Sequence, residues 1–252
     1  MLALLATGLA ILIATSFGKE IVKIVTDIMY VAITGIFVIV SSLMVSRFRK
    51  VGSHAKAWLF FLATSIAWCV AETLWAVYEL VFKQNPFPSM ADVFYIIGYP
   101  LFFGFLIYYL KPVRNAMTKK MIISAIIISA CVSIPSIYMA YSFDPNVSLL
   151  ENVLATAYPV GDAVIFIPAL IGIVLFFRGE VNFTWSLVCT GIFCFTMGDI
   201  GFQYAQFNNT YYTGHPSDIV LIWAYILFIF GAWDHLRLFK KEKLTQYPPK
   251  TV

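Results

Sequence analysis

Eight stretches of this chain are apolar for about as long as a helix needs to cross a lipid bilayer: residues 2–17, 25–46, 57–82, 93–110, 121–142, 154–177, 184–207 and 219–238. A hydrocarbon core about 30 Å thick takes roughly 20 helical residues to span. Within lipid every backbone N–H and C=O must find its partner inside the protein, which leaves helices or a closed barrel. The alternation a barrel strand requires is absent here. The expected fold is therefore all-α, a polytopic transmembrane bundle of about eight helices. Composition agrees, since only 12% of residues are charged where a soluble domain carries about a quarter. The first stretch is marginal in length and ends in small residues around Ala14, Thr15 and Ser16. It is read as a retained helix; as a cleaved signal it would leave seven.

Loop charges orient the bundle, because cytoplasmic loops collect Lys and Arg. Of the 17 basic residues, only Lys19, Lys23 and Lys83 fall on one side. The expectation is a multi-pass protein of the cell membrane with both termini cytoplasmic. Residues 1–252 read as a single integral membrane domain, with 239–252 as a short cytoplasmic tail. The net charge of +4 is spread over separate loops, where membrane insertion explains it, so membrane lipids are expected partners and nucleic acid is not. Cys69, Cys131, Cys189 and Cys194 lie inside the apolar stretches and form no knuckle, and histidines are too few for a zinc centre. No metal or cofactor is expected.

Part of the chain repeats. Glu72-Thr73-Leu74-Trp75-Ala76-Val77-Tyr78, followed by Pro88-Ser89-Met90-Ala91-Asp92, returns as Asp199-Ile200-Gly201-Phe202-Gln203-Tyr204, followed by Pro216-Ser217-Asp218. Both copies run in the same direction through the membrane, so the third and fourth helices and the seventh and eighth form a candidate parallel repeat.

Acidic residues inside the apolar stretches are the candidate functional groups, because charge within a bilayer is costly and turns toward the protein interior. In the third helix Trp68, Glu72, Trp75 and Glu79 share one face. Glu72 lies roughly 16 Å from the outer end of its helix at 1.5 Å per residue. Asp199 and Gln203 form a similar stripe in the seventh helix, and Tyr158 and Asp162 one in the sixth. The expected ligand-binding set is Glu72, Trp75, Tyr78, Glu79, Tyr158, Asp162, Asp199 and Gln203, in the outer half of the bundle. Ser89 with Asp92 fits a capping box, and Ser217 with Asp218 fits a helix start, so these four are expected to cap helices or line the cavity mouth with His215.

The run Ala71 to Glu79, continued by Pro86-Phe87-Pro88-Ser89-Met90-Ala91-Asp92-Val93-Phe94-Tyr95 and Tyr99-Pro100-Leu101, resembles a membrane region at the N-terminus of many bacterial diguanylate cyclases and related signalling proteins. Ala157-Tyr158-Pro159-Val160-Gly161-Asp162 and Gly198-Asp199 look like its later landmarks. The resemblance covers roughly residues 30–238 and implies a multi-helix input module. No cyclase, phosphodiesterase or kinase domain follows in this chain. The expectation is a stand-alone membrane sensor or small-ligand-binding module, with a partner membrane or signalling protein to carry its output, more a binding protein than an enzyme. Two alternatives stand beside it. One is a membrane-embedded lipid-modifying enzyme using intramembrane carboxylates, to which the similarity of Thr196-Met197-Gly198-Asp199 to lysoplasmalogenase-like hydrolases points. The other is an accessory subunit of a membrane complex.

Overall fold

The computed structural model describes residues 2–48, 52–141, 147–177 and 181–245, and they form an all-helical bundle with no strand among them. Its helices are α1 (Leu2–Thr15), α2 (Lys19–Phe48), α3 (Gly52–Ala76), α4 (Met90–Leu110), α5 (Lys119–Ala140), α6 (Leu149–Phe176), α7 (Asn182–Phe207) and α8 (Pro216–Thr245). Seven of them, α2 to α8, are long and apolar enough to cross a membrane. With 14 residues, α1 rises about 21 Å, short of the hydrocarbon thickness. It packs on α2 and α8 instead, where the Trp223 indole donates to the Leu4 carbonyl at 2.8 Å. α8 continues through Thr245, into the stretch read as a tail; residues 246–252 lie outside the described residues.

Six helices close into a ring in the order α2, α3, α4, α6, α7, α8 and back to α2, with α1 and α5 against its outside. α2–α4 and α6–α8 follow the same succession around the ring, an order that fits a half-turn about an axis along the membrane normal relating one triplet to the other. The repeat seen in the sequence thus extends from two helices to three. Near that axis the rings of Trp68 and Phe195, each four residues before the repeated acid, stack at 4.8 Å.

One half of the ring interior is filled by aromatic side chains. Phe37, Trp58, Phe61, Phe102, Phe105 and Phe228 are all essentially inaccessible, and their centroids lie 4.6–6.1 Å apart in the contacts they make with one another. Lipid offers helices no hydrophobic drive to associate, so such close packing must hold them together. Toward the end where α3 meets α4 and α7 meets α8, the interior turns polar.

Two local breaks shape that polar end. After Ala76 the last turn of α3 widens into a π-helix, Val77–Val81, which closes with the Phe82 N–H on the Val77 carbonyl and the Gln84 N–H on the Tyr78 carbonyl. Pro159 in α6 cannot donate to the carbonyl four residues back, Ala155. The Gln203 amide of α7 donates to that freed carbonyl at 3.3 Å.

Candidate functional site

Every helix of the ring sends a tyrosine or a carboxyl toward the polar end, and four tyrosine–carboxyl pairs result. The Tyr225 hydroxyl of α8 donates to Glu72 of α3 at 2.8 Å, and Tyr99 of α4 donates to Asp199 of α7 at 2.7 Å. Tyr158 of α6 donates to Asp92 of α4 at 2.5 Å, and Tyr30 of α2 reaches Asp218 of α8 at 3.4 Å. The half-turn exchanges the first pair with the second and the third with the fourth. Sequence spacing agrees, since Tyr99 stands seven residues after Asp92 and Tyr225 seven after Asp218. Each half of the protein therefore supplies the donors for the other half's acids.

These side chains surround a cavity of about 60 Å³, with Trp75, Tyr95, Phe202 and Thr213 in its wall. A single water needs about 10–15 Å³ of such space, so the cavity holds a few waters or one small molecule. Four carboxyls line it and no basic side chain does. Among the described residues no three His, Cys, Asp or Glu side chains are placed to share a metal ion. What the arrangement offers is four carboxyls around an aromatic wall, which when ionised attract a cation by charge while the rings attract it by their quadrupoles.

Of the expected ligand-binding residues, Glu72, Trp75, Tyr158 and Asp199 line this cavity. Asp162 sits directly behind Asp199, with Tyr99 and Thr196 as its other polar neighbours. Neither of its oxygens makes a well-formed hydrogen bond, and the Thr196 hydroxyl is also unpartnered. Three expected residues lie elsewhere. Glu79 faces a separate outer cleft, where it accepts from the Thr213 hydroxyl at 2.6 Å and the Trp75 indole at 3.2 Å. Tyr78, on the π-helical turn, packs edge-on against Phe82. Gln203 serves the carbonyl freed by Pro159.

Of the residues expected to cap helices or line the cavity mouth, Asp92 and Asp218 do both. Ser89 and Asp92 form the capping box of α4, with the Ser89 N–H on Asp92 at 2.6 Å and the Ala91 N–H on the Ser89 hydroxyl at 3.1 Å. The second Asp92 oxygen takes the Tyr158 bond and faces the cavity. At α8 the cap is built differently from the Ser217–Asp218 start expected. The His215 ring Nδ1 accepts from the Ser217 N–H at 3.3 Å and pairs with the Ser217 hydroxyl at 2.9 Å, while Asp218 reaches back to the Gly214 N–H at 2.7 Å.

Residues missed from sequence include Tyr30, Tyr95, Tyr99, Tyr211 and Tyr225 in the wall, and Asp27 of α2. Asp27 is buried near Glu79, Asp218 and Lys23, with one carboxyl oxygen unpartnered beside the unpartnered hydroxyl of Thr26. It lies about two turns from the outer end of its helix, one turn past Lys23.

Burial lowers the pKa of His215 below the ordinary histidine value. A histidine whose folded pKa is depressed stabilises the fold above its unfolded pKa, and that contribution is lost as pH falls through the folded value. Hydrogen exchange at the Ser217 amide, corrected for the intrinsic rate, is accordingly expected to accelerate as the pH falls below about 6.5. Unchanged protection would show that the ring nitrogen is not the cap.

No family model, curated protein or solved structure matches this chain.

Proposed function

We propose that this protein is a membrane-embedded binding and sensing module for a small cationic ligand, most simply an organic ammonium ion. One observation supports this above all: four carboxyls from four places in the chain converge on one small aromatic cavity with no basic side chain in its wall. Their bonds cross between the two halves of the ring, so a cation between Glu72 and Asp199 touches both halves and bears on how they pack.

The size of the cavity favours a small ligand over the lipid chain a hydrolase would have to admit, and over an amphiphile. Its wall carries no Ser, Cys or His to act as nucleophile. By the loop charges the cavity lies in the outer half of the membrane and both termini lie in the cytoplasm, so the module would report on the outside to a partner signalling protein within.

Methylammonium, acetate and ethanol are similar in size and differ in charge. Titrated into the protein in lipid nanodiscs, methylammonium is expected to bind saturably and the other two not at all. Acetate binding as well as methylammonium would refute the assignment of a cation.

A further inference from the structure

We infer that the ligand is a zwitterion, whose ammonium end enters the tyrosine-lined cavity and whose anionic end is held by lysines in the cleft beside it. This rests on the cation reading of the cavity. The cleft has a volume of about 580 Å³, and it shares Trp75, Tyr211 and Thr213 with the cavity, so the partition between them is one side chain thick. Alongside Glu20 and Glu79, three lysines line it, Lys19, Lys23 and Lys83. They come from the start of α2 and from the loop between α3 and α4, and they are the only basic residues that the sequence places at this end of the bundle.

Interfacial lysines usually spread around a bundle to meet lipid headgroups. Convergence of all three on one cleft is a different arrangement. Lys83 has φ 55°, at the position just past the π-helical turn where a chain reversal ordinarily uses glycine. A side chain kept in that conformation points to a use for the side chain. Lys19 stands over the Tyr212 ring at 5.3 Å, and Lys23 pairs with Glu20 at 3.0 Å, so two of the three are held in place.

The charges thus differ between the two spaces, with three lysines set against Glu20 and Glu79 in the cleft and carboxyls alone in the cavity. Glu79 sits at the partition, joining Trp75 of α3 to Thr213 before α8. A molecule with an ammonium group at one end and a carboxylate or phosphate at the other matches both spaces at once. A free zwitterion such as an ω-amino acid and the headgroup of phosphatidylethanolamine share this chemistry.

The test compares ω-amino acids from glycine to 6-aminohexanoate with alkylammonium ions of the same chain length, in nanodiscs. At the chain length that spans the partition, the amino acid is expected to bind roughly tenfold tighter than its matched amine, as one added charge-assisted contact would give. The triple variant Lys19→Gln, Lys23→Gln, Lys83→Gln should lose that advantage without weakening the amine. Glu72→Gln with Asp199→Asn should lose both ligands. Equal affinity of acid and amine at every length, or an advantage that survives loss of the three lysines, overturns the zwitterion while leaving the cation site standing. Failure of both ligands to bind the native protein overturns the two together. Weaker amino-acid binding in phosphatidylethanolamine discs than in phosphatidylglycerol discs would support the inference with the headgroup as occupant, and equal binding would support it with the free molecule.

Discussion

Replacing Tyr99 by Phe is expected to destabilise the bundle by about 2–3 kcal/mol, and Tyr225→Phe by less, although both remove one hydroxyl from one carboxyl. A hydrogen bond to a charged group contributes about 1.5–3 kcal/mol, and leaving its buried partner unsatisfied costs more than the bond itself is worth. Asp199 depends on Tyr99 for its one well-formed bond, at 2.7 Å, and its other close neighbour is a second carboxyl, Asp162. Glu72 has the Tyr225 hydroxyl at 2.8 Å and the side chain of Tyr95 close by to take its place. The difference therefore comes from the surroundings of two positions that the repeat makes equivalent. Introducing Tyr99→Phe into an Asp199→Leu background should cost little, because donor and acceptor are then both gone. Equal losses from the two single variants, or a full loss in the Asp199→Leu background, would show that the tyrosines act by packing. Denaturant unfolding in one detergent, applied to all the variants, measures each of these.

The second large effect is steric. An alanine Cβ at Gly98 would lie 2.0 Å from the Trp68 indole nitrogen, and one at Gly172 would lie 2.0–2.1 Å from the Trp185 ring. In both places the indole donates at 3.2 Å to the carbonyl three residues before the glycine, Tyr95 in one and Ala169 in the other. The glycine is the notch into which the ring is laid. Alanine raises helix propensity by up to about 1 kcal/mol, but a methyl group forced into a rigid buried ring costs about 1–3 kcal/mol and breaks the indole bond as well. Steric cost wins, and Gly98→Ala and Gly172→Ala are each expected to lower the unfolding midpoint. Gly35 on α2 has nothing within 4 Å of a built Cβ, so Gly35→Ala should raise it. A rise at all three positions would mean that the tryptophans move aside freely.

Much of the architecture was legible in the chain because lipid permits so few solutions. Seven of the apolar runs became membrane-length helices, and the repeated acid, aromatic loop and Pro-Ser turn marked the two hairpins. The third helix of each repeat escaped notice because α2 and α6 share no comparable string of residues, only Tyr30 and Tyr158 in equivalent places. Glu72 and Asp199 were visible as acids in an apolar background. Their tyrosine donors were not, since one tyrosine among 14 carries no mark of its own; the equal spacing from Asp92 to Tyr99 and from Asp218 to Tyr225 was the available signal. Gln203 read as part of an acidic stripe because helical periodicity shows which residues share a face and not which neighbour they meet. The missing N–H of Pro159, a whole helix away, decides where its amide goes. Asp92 and Asp218 were read as caps or as residues of the cavity mouth, and because a carboxyl has two oxygens each serves the helix end and the cavity together.

In the function proposed, the two halves of the ring present their carboxyls to one cation. Titration calorimetry of methylammonium against the native protein and the Glu72→Gln, Asp199→Asn variant, both in nanodiscs and both checked for intact folding, tests this most directly. Removing two buried charge partners is expected to weaken binding by roughly a hundredfold or more. Methylammonium bound with the same affinity by both proteins would contradict the claim and leave the tyrosine–carboxyl pairs as ties between helices.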